Sequence, residues 1–130
     1  MEHKKPISIL LVEDDESACE IIRSMLAMLY PQLLIYNAGD GQVGLELFRM
    51  HLPDIVITDI NMPKMDGVEM LGNMTSIKPD SRVIVVSAQN NRNDIEKIFS
   101  LDYVVEFVPK PIDFDTLFAS INRCIVSLSD

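Results

Sequence analysis

The chain has few cysteines, few basic residues and no long apolar run, and each shortage excludes a class of protein. Its two cysteines, Cys19 and Cys124, are too few for a disulfide scaffold and too widely spaced for a zinc-binding pair, so we expect core thiols. Eleven basic residues against twenty acidic ones give a net charge of -9, which repels nucleic acid and anionic lipid. The longest apolar run, residues 7–12, falls far short of the roughly 20 residues of a membrane helix.

Neither the histidines nor the first residues indicate a metal site or a targeting signal. His3 lies in the amino-terminal tail and His51 near a predicted helix end, and neither has a metal-ligand neighbour in sequence. Residues 1–6 form a polar tail that lacks the apolar region of a secretory signal. We therefore expect a cytoplasmic protein without a signal peptide.

Five short apolar runs, rich in β-branched residues, alternate with longer segments of helical period. This alternation is typical of repeated β-α units, and several runs are apolar at successive positions, which favours parallel strands covered by helices on both faces. We expect a single α/β domain over residues 7–128. The predicted strands are residues 7–12, 33–37, 55–58, 83–86 and 104–108.

Acidic or amide side chains stand where the predicted helices begin. Asp40 can cap the second helix, and Asp66 with Glu69 three residues later resembles a capping box for the third. Asn91 or Asn93 is expected to open the fourth helix. The fifth helix has an apolar face formed by Phe114, Leu117, Phe118, Ile121, Ile125 and Leu128.

Carboxylates follow the first and third predicted strands directly. Glu13, Asp14 and Asp15 end the first strand and Asp59 ends the third, so they converge if these strands are neighbours, because the crevice at the carboxyl ends of parallel strands is shared. Such a cluster repels itself, and Mg²⁺ suits a site of few carboxylates. The acids at 13–15 can alternatively be simple helix-start residues. Asp59 is harder to explain in this way, because an acid after a buried run is costly unless paired.

A hydroxyl and an ammonium group are expected at the same edge of the sheet. Ser87 ends the fourth predicted strand and Lys110 the fifth. With the carboxylates they suggest phosphoryl transfer, in which an aspartate accepts the phosphoryl group and the metal and the lysine neutralise its oxygens. Taken alone, Ser87 and Lys110 are also compatible with an ordinary loop pair.

Four segments contain these residues: ILLVEDD at 9–15, DIVITDINMPKMDG at 54–67, VIVVSA at 83–88 and FVPKP at 107–111. In this order, and covering nearly the whole chain, they resemble the receiver domain of bacterial two-component response regulators. The resemblance implies a flavodoxin-like fold, with a five-stranded parallel sheet of order 2-1-3-4-5 and helices on both faces. It also implies a phosphoacceptor switch in a phosphorelay.

The resemblance assigns the phosphoacceptor and a magnesium site. Asp59 looks like the residue that receives the phosphoryl group from a histidine kinase and is thereby modified. Asp14 would bind Mg²⁺ directly and Glu13 through water. Asp59 and the backbone carbonyl of Asn61 would complete the protein ligands.

Three further residues match the family's catalytic and switch positions. Ser87 matches the hydroxyl that moves toward the phosphoryl group, and Phe107 the aromatic side chain that turns inward behind it. Lys110 matches the phosphate-binding lysine, whose bond to Pro111 is typically cis in the family. Together with Asp59, Ser87 and Lys110 form the implied catalytic group. Asn61 and Gln89 occupy positions that tune hydrolysis of the acyl phosphate.

The partners implied by the resemblance are proteins. A sensor histidine kinase or a phosphotransfer protein would donate the phosphoryl group, and an output protein or a fused output domain would receive the signal. A second copy of the chain is a further partner, bound in response to phosphorylation. We expect no direct contact of this domain with nucleic acid or with a membrane, as its charge indicates.

The sequence departs from the family pattern in two places. Pro109 precedes the lysine and removes a backbone donor, which is tolerable because the fifth strand is expected at the sheet edge. The small Gly-Ala pair that often precedes this strand is absent, and residues 101–106 stand there instead. The second departure affects the face of the fourth helix, fifth strand and fifth helix, where receivers usually meet partners.

Two other functions share part of this residue pattern. A phosphatase with an aspartyl nucleophile, of the haloacid dehalogenase type, shares the metal, the lysine and the hydroxyl, but it typically has a second aspartate two residues after the nucleophile. Asn61 stands at that position, and an amide cannot transfer the proton. A degenerate receiver that only binds proteins is the remaining alternative. We expect no enzyme activity beyond the chain's own phosphorylation and dephosphorylation.

Overall fold

The computed structural model of the chain describes residues 5–60, 62, 65–88, 92–100 and 104–129. Within them strands and helices alternate, as the sequence predicts. The elements are β1 Ser8–Val12, α1 Glu16–Leu29, β2 Leu34–Ala38, α2 Gly41–His51, β3 Ile55–Asp59, α3 Gly67–Ile77, β4 Arg82–Ser87, α4 Arg92–Phe99, β5 Val104–Pro109 and α5 Phe114–Ser129.

All five strands form one parallel sheet of order β2-β1-β3-β4-β5, which confirms the predicted flavodoxin-like topology. In the register of the sheet Val12 pairs with Thr58, and Ser87 pairs with Pro109. Strands β1, β3, β4 and β5 therefore end at nearly the same level. The residues that follow them share one edge of the sheet, which we call the carboxyl edge.

Helices cover both faces of the sheet, because alternate residues of each strand enter two separate apolar clusters. In β1, Ile9 and Leu11 pack with α1 and α5, whereas Leu10 and Val12 pack with α2 and α3. This explains why the strands are apolar at successive positions. The predicted apolar face of α5 packs into the first cluster, and both cysteines are buried free thiols, as expected.

Aspartate side chains cap the first three helices. The Asp40 carboxylate accepts from the Val43 amide at 2.9 Å, and the Asp66 carboxylate accepts from the Glu69 amide at 2.9 Å, as the sequence predicts. Asp15 caps α1 and accepts from the amides of the following turn. Asn91, one of the two residues proposed to open the fourth helix, lies outside the described residues.

Strands β3 and β4 each extend one residue further than predicted, so that Asp59 and Ser87 are the last residues of strands. Pro109 ends β5, which lies at an edge of the sheet, as expected for a strand containing proline. The amide of the next residue, Lys110, donates to the Ser87 carbonyl at 2.9 Å, so the ladder continues past the proline. Among the described helices, none is both long and apolar enough to cross a lipid bilayer.

Helix α1 offers a matched pair of apolar residues that tests this packing. Leu26 is 0% exposed and Met28 is 79% exposed, two positions further along the same helix. We expect Leu26→Ala to lower the free energy of unfolding by about 2–5 kcal/mol, because it leaves a cavity against the sheet. Met28→Ala should change it by less than about 0.5 kcal/mol. Urea unfolding followed by circular dichroism checks both, and equal losses would contradict the packing.

Candidate functional site

Three carboxylates meet at the carboxyl edge of the sheet. Glu13 and Asp14 follow β1, Asp59 ends β3, and the two strands are neighbours. One carboxylate oxygen from each residue lies within 4.8 Å of those from the other two. The structure therefore brings together the three acids that the sequence proposed as metal ligands. Asp15, considered with them, instead caps α1.

Asp59 is buried, at 6% exposure, and its carboxylate has a partner on each oxygen. Oδ1 accepts from the Ile60 amide at 2.7 Å, and Oδ2 accepts from Nζ of Lys110. The main chain is fixed as well, because the Thr58 hydroxyl donates to the Asp59 carbonyl at 2.7 Å. These contacts satisfy the requirement that a buried charge be paired and hydrogen-bonded.

Glu13 is equally buried, at 6% exposure, beside two other acids. Burial raises the pKa of Glu13 above its usual value, and the negative charge of Asp59 acts in the same direction. The Asp15 amide, which donates to Oε2 at 3.2 Å, and the charge of Lys110 oppose this rise only in part. The ionised form of Glu13 is thus in an unfavourable environment, which a cation bound in the cluster would relieve.

Lys110 reaches Asp59 from the end of β5, across the end of the intervening strand β4. Burial alone would lower the pKa of Lys110, but the hydrogen bond and charge of Asp59, with the charges of Glu13 and Asp14, raise it above its usual value. Lys110 is therefore a fixed cation at neutral pH. The bond from Lys110 to Pro111 is cis, as the resemblance implies.

The two predicted switch residues lie on β4 and on its neighbour β5, the edge strand. Ser87 is buried at the end of β4, and its hydroxyl donates to the Ala88 carbonyl in a long contact of 3.4 Å. Phe107 on β5 is half-buried and packs against the cluster formed with α2, α3 and α4. The two predicted tuning positions, Asn61 and Gln89, lie outside the described residues.

The donor set fits Mg²⁺. All three side chains present carboxylate oxygens, the ligands that hard divalent cations prefer, and those of Glu13 and Asp59 are buried. The three like charges repel one another, and a bound divalent cation would relieve this repulsion. The implied carbonyl ligand at Asn61 is not among the described residues.

Two features of the site were not expected from the sequence. Thr58 lies within the predicted apolar strand 55–58, yet its hydroxyl donates to the Asp59 carbonyl and fixes that backbone. Gly67 donates its amide to the Ile60 carbonyl at 2.7 Å and packs against the Asp59 carbonyl. Gly67 is the last residue of the motif at 54–67, but the sequence did not predict its contacts with residues 59 and 60.

A parallel sheet of this order, with an acidic cluster and a lysine at its carboxyl edge, defines a flavodoxin-like domain whose clustered carboxylates fit a divalent cation. Comparison with known families then identifies it. The family model described as the response regulator receiver domain matches residues 9–122. The chain belongs to this family and is a receiver domain of two-component response regulators.

Relatives and solved structures agree with the family. The chain is 28% identical over 120 residues to the probable C4-dicarboxylate response regulator DctR of Bacillus subtilis, covering 92% of this chain and 53% of that protein. It is 31% identical over 122 residues to the transcriptional regulatory protein ZraR of Escherichia coli, covering 92% of this chain and 26% of that protein. The chain thus spans about half the length of the first relative and a quarter of the second.

A solved structure matches over most of both chains. The crystal structure of the N-terminal domain of an uncharacterized protein from Wolinella succinogenes superimposes with a TM-score of 0.84 and 35% identity. The match covers 95% of this chain and 98% of that one. The similarity therefore extends over nearly all of that N-terminal domain.

The raised pKa of Glu13 predicts a pH-dependent gain in stability for Glu13→Gln in metal-free buffer. The pKa of Glu13 is higher in the folded chain than in the unfolded chain, so protonated Glu13 favours the folded state. This contribution to the free energy of unfolding is fully present below pH 4.5, the ordinary pKa of the side chain, and is lost as the pH rises through the folded-state pKa. Glutamine keeps the uncharged form at every pH. We expect the variant to exceed the wild type at neutral pH and to match it below 4.5.

Urea unfolding with a chelator present measures this difference. The exposed Glu16→Gln in the first turn of α1 is the control, and it should lose stability at neutral pH, because a carboxylate at a helix start is favourable. A Glu13→Gln variant that is less stable than the wild type at neutral pH would show that the charge is well accommodated.

Proposed function

We propose that Asp59 is the phosphoacceptor of this receiver domain and that Lys110 and Ser87 act with it on the phosphoryl group. The observation that carries the proposal is the position of the Asp59 carboxylate, bound by Lys110 and lying within a cluster that includes Glu13 and Asp14. A carboxylate at a strand end, beside one fixed cation, is placed to act as a nucleophile. The degenerate-receiver alternative does not require this convergence.

In the proposed reaction an oxygen of the Asp59 carboxylate attacks the phosphorus of a phosphohistidine on the partner kinase. The O–P bond forms as the N–P bond breaks, and the imidazole leaves with that electron pair and takes up a proton. Lys110, which already contacts the carboxylate, neutralises charge on the transferred phosphoryl oxygens. The chain acts in this way on itself only, as a signalling domain.

Glu13, Asp14, Asp59 and the carbonyl of Asn61 are the proposed ligands of Mg²⁺. The clustered oxygens of the three carboxylates support this set. When bound there, the metal would supply positive charge next to the phosphoryl oxygens and so lower the repulsion between donor and carboxylate. Within this set, we propose that Asp14 binds the metal directly and Glu13 through water.

Phosphorylation is proposed to act on Ser87 and Phe107 next. A phosphoryl group on Asp59 adds charged acceptors beside the end of β4, and these bind a hydroxyl more strongly than the carbonyl that Ser87 contacts at 3.4 Å. Movement of Ser87 then favours an inward position of Phe107 on the paired strand β5. Coupling of about 1–3 kcal/mol is enough to change the face of α4, β5 and α5.

The partners of the chain follow from the same chemistry. A histidine kinase or phosphotransfer protein would supply the phosphoryl group, and an output protein, a fused output domain or a second copy of the chain would bind the altered face. The relatives are longer proteins named as response and transcriptional regulators, which supports an output beyond this domain. Because the kinase's phosphohistidine derives from ATP, we place the chain in the cytoplasm.

Acetyl phosphate labelling tests the phosphoacceptor. With Mg²⁺ present, the wild-type chain should gain the mass of one phosphoryl group, and Asp59→Asn should gain none, because an amide is not a nucleophile at neutral pH. A chelator should abolish the labelling by removing the metal. Intact mass spectrometry measures both results.

Asp54→Asn is the matched control for this experiment. Asp54 is also paired with a lysine, Lys78, at 3.1 Å, but it lies at the opposite end of β3. The control variant should label like the wild type. Equal labelling of Asp59→Asn, or loss of labelling in Asp54→Asn alone, would move the phosphoacceptor elsewhere.

The switch is tested by Ser87→Ala. We expect this variant to accept the phosphoryl group but to lose the phosphorylation-dependent change in hydrogen exchange across residues 92–100 and 104–109, since the hydroxyl proposed to bind the phosphoryl group is gone. Ser81→Ala is the control: Ser81 is also buried, and its hydroxyl donates to the Pro53 carbonyl at 2.7 Å beyond the opposite end of β4. An unchanged response in Ser87→Ala would remove Ser87 from the switch.

A further inference from the structure

The first residue of α2 lies in unusually close contact with the segment that leads into α3. A Cβ atom placed on Gly41 would lie 2.1 Å from the Met65 carbonyl oxygen and 3.1 Å from the Met65 Cβ. Carbon and oxygen atoms that are not bonded do not approach so closely, so only glycine allows this contact. The Met65 side chain packs against the same apolar cluster as α2 and adds to the contact.

The surface that receives Met65 is itself fixed. Asp40 caps α2 by accepting from the Val43 amide at 2.9 Å, and its carbonyl accepts from the Gly44 amide at 2.9 Å. Gly41 therefore belongs to a hydrogen-bonded first helical turn. A larger side chain at position 41 must displace this turn, Met65 or both, and each of these shifts alters the contact between α2 and residues 65–67.

Residues 65–67 connect this contact to the backbone of Asp59. Asp66 caps α3, and the next residue, Gly67, donates its amide to the Ile60 carbonyl at 2.7 Å. A Cβ atom on Gly67 would lie 2.6 Å from the Asp59 carbonyl oxygen and 2.8 Å from the Ile60 Cα. The path from α2 to the proposed phosphoacceptor thus consists of two glycine contacts joined by one short segment.

We propose that Gly41 is a positioning residue for Asp59: it admits the Met65 carbonyl against α2 and thereby fixes residues 65–67 and, through Gly67, the backbone of Asp59. The inference rests on the proposed function, since it concerns the placement of the phosphoacceptor and metal ligand. Gly41 touches neither the phosphoryl donor nor the metal. Its effect is exerted only through Met65 and Gly67.

The effect of Gly41→Ala distinguishes a positioning role of Gly41 from a mere effect on helix propensity. At the first position of α2, alanine is the better helix former, so helix propensity alone predicts that Gly41→Ala stabilises the chain and leaves the site unchanged. The contact predicts a displacement of Met65 by roughly 1 Å, and a misplacement of that size near a reacting group can slow a reaction about a hundredfold. Displaced supporting residues typically weaken metal binding by about tenfold or more.

The test compares Gly41→Ala with Gly39→Ala in the full chain. Gly39 lies two residues earlier, and a Cβ atom there would meet nothing within 4 Å. We expect Gly39→Ala to match the wild type, and Gly41→Ala to bind Mg²⁺ about tenfold more weakly in a titration with magnesium chloride alone. Gly41→Ala should also label with acetyl phosphate about ten to a hundred times more slowly.

The shift of the thermal midpoint on adding Mg²⁺ should be smaller in Gly41→Ala than in the wild type. A merely structural effect would lower the midpoints with and without Mg²⁺ by the same amount and leave the shift unchanged. Wild-type affinity and labelling rate in Gly41→Ala would overturn the inference. Failure of the wild type itself to label would instead reject the proposed function.

Hydrogen exchange on the wild type provides a second test that does not depend on the folding of Gly41→Ala. Adding Mg²⁺ should protect the amides of residues 65–67 and of residues 41–44 together, while residues 72–77 at the end of α3 stay unchanged. Protection of 65–67 without any change at 41–44 would show that α2 does not support the site, and the inference would fall.

Discussion

The ion pair between Asp59 and Lys110 is the interaction on which the site depends. Asp59 is buried at the end of a central strand, where an unpaired carboxylate would be costly, and Lys110 supplies the opposite charge from a strand two places away. Glu13 and Asp14 add negative charge that one lysine does not balance. Among the described residues, this group of carboxylates fits a divalent cation.

A second carboxylate and lysine pair shows what distinguishes a site from a structural contact. Asp54 accepts from Nζ of Lys78 at 3.1 Å and from the Ser8 amide at 3.0 Å, at the opposite end of β3. The same lysine also donates to backbone carbonyls of residues 52 and 53. There the pair holds the start of β1 and the turn before β3 together. At Asp59, by contrast, the described neighbours besides Lys110 include two further carboxylates, whose mutual repulsion a divalent cation would relieve.

The location of the chemistry follows from the architecture. Helices on both faces make the strand interiors largely apolar, so the buried polar groups lie mostly at or next to the strand ends. Because all five strands are parallel and in register, side chains from β1, β3, β4 and β5 reach the same edge although they are far apart in sequence. The turns that approach this edge closely rely on glycine, as at Gly67.

The sequence by itself determined the strand and helix order, the aspartate caps and the identity of the polar residues at the strand ends, because these depend on local periodicity and on short motifs. It placed Asp59 and Lys110 correctly at strand ends, and the sheet order came with the family resemblance. Only the tertiary structure decided that Asp15 caps a helix rather than joining the acidic cluster, that the Thr58 hydroxyl holds the Asp59 backbone, and that Gly41 lies against Met65. The first two contacts are local, but each is one of several that the residue could make, and the packed site selects between them. The contact of Gly41 with Met65 joins segments whose distance and direction are set only when the sheet and its helices pack, so no local pattern contains it.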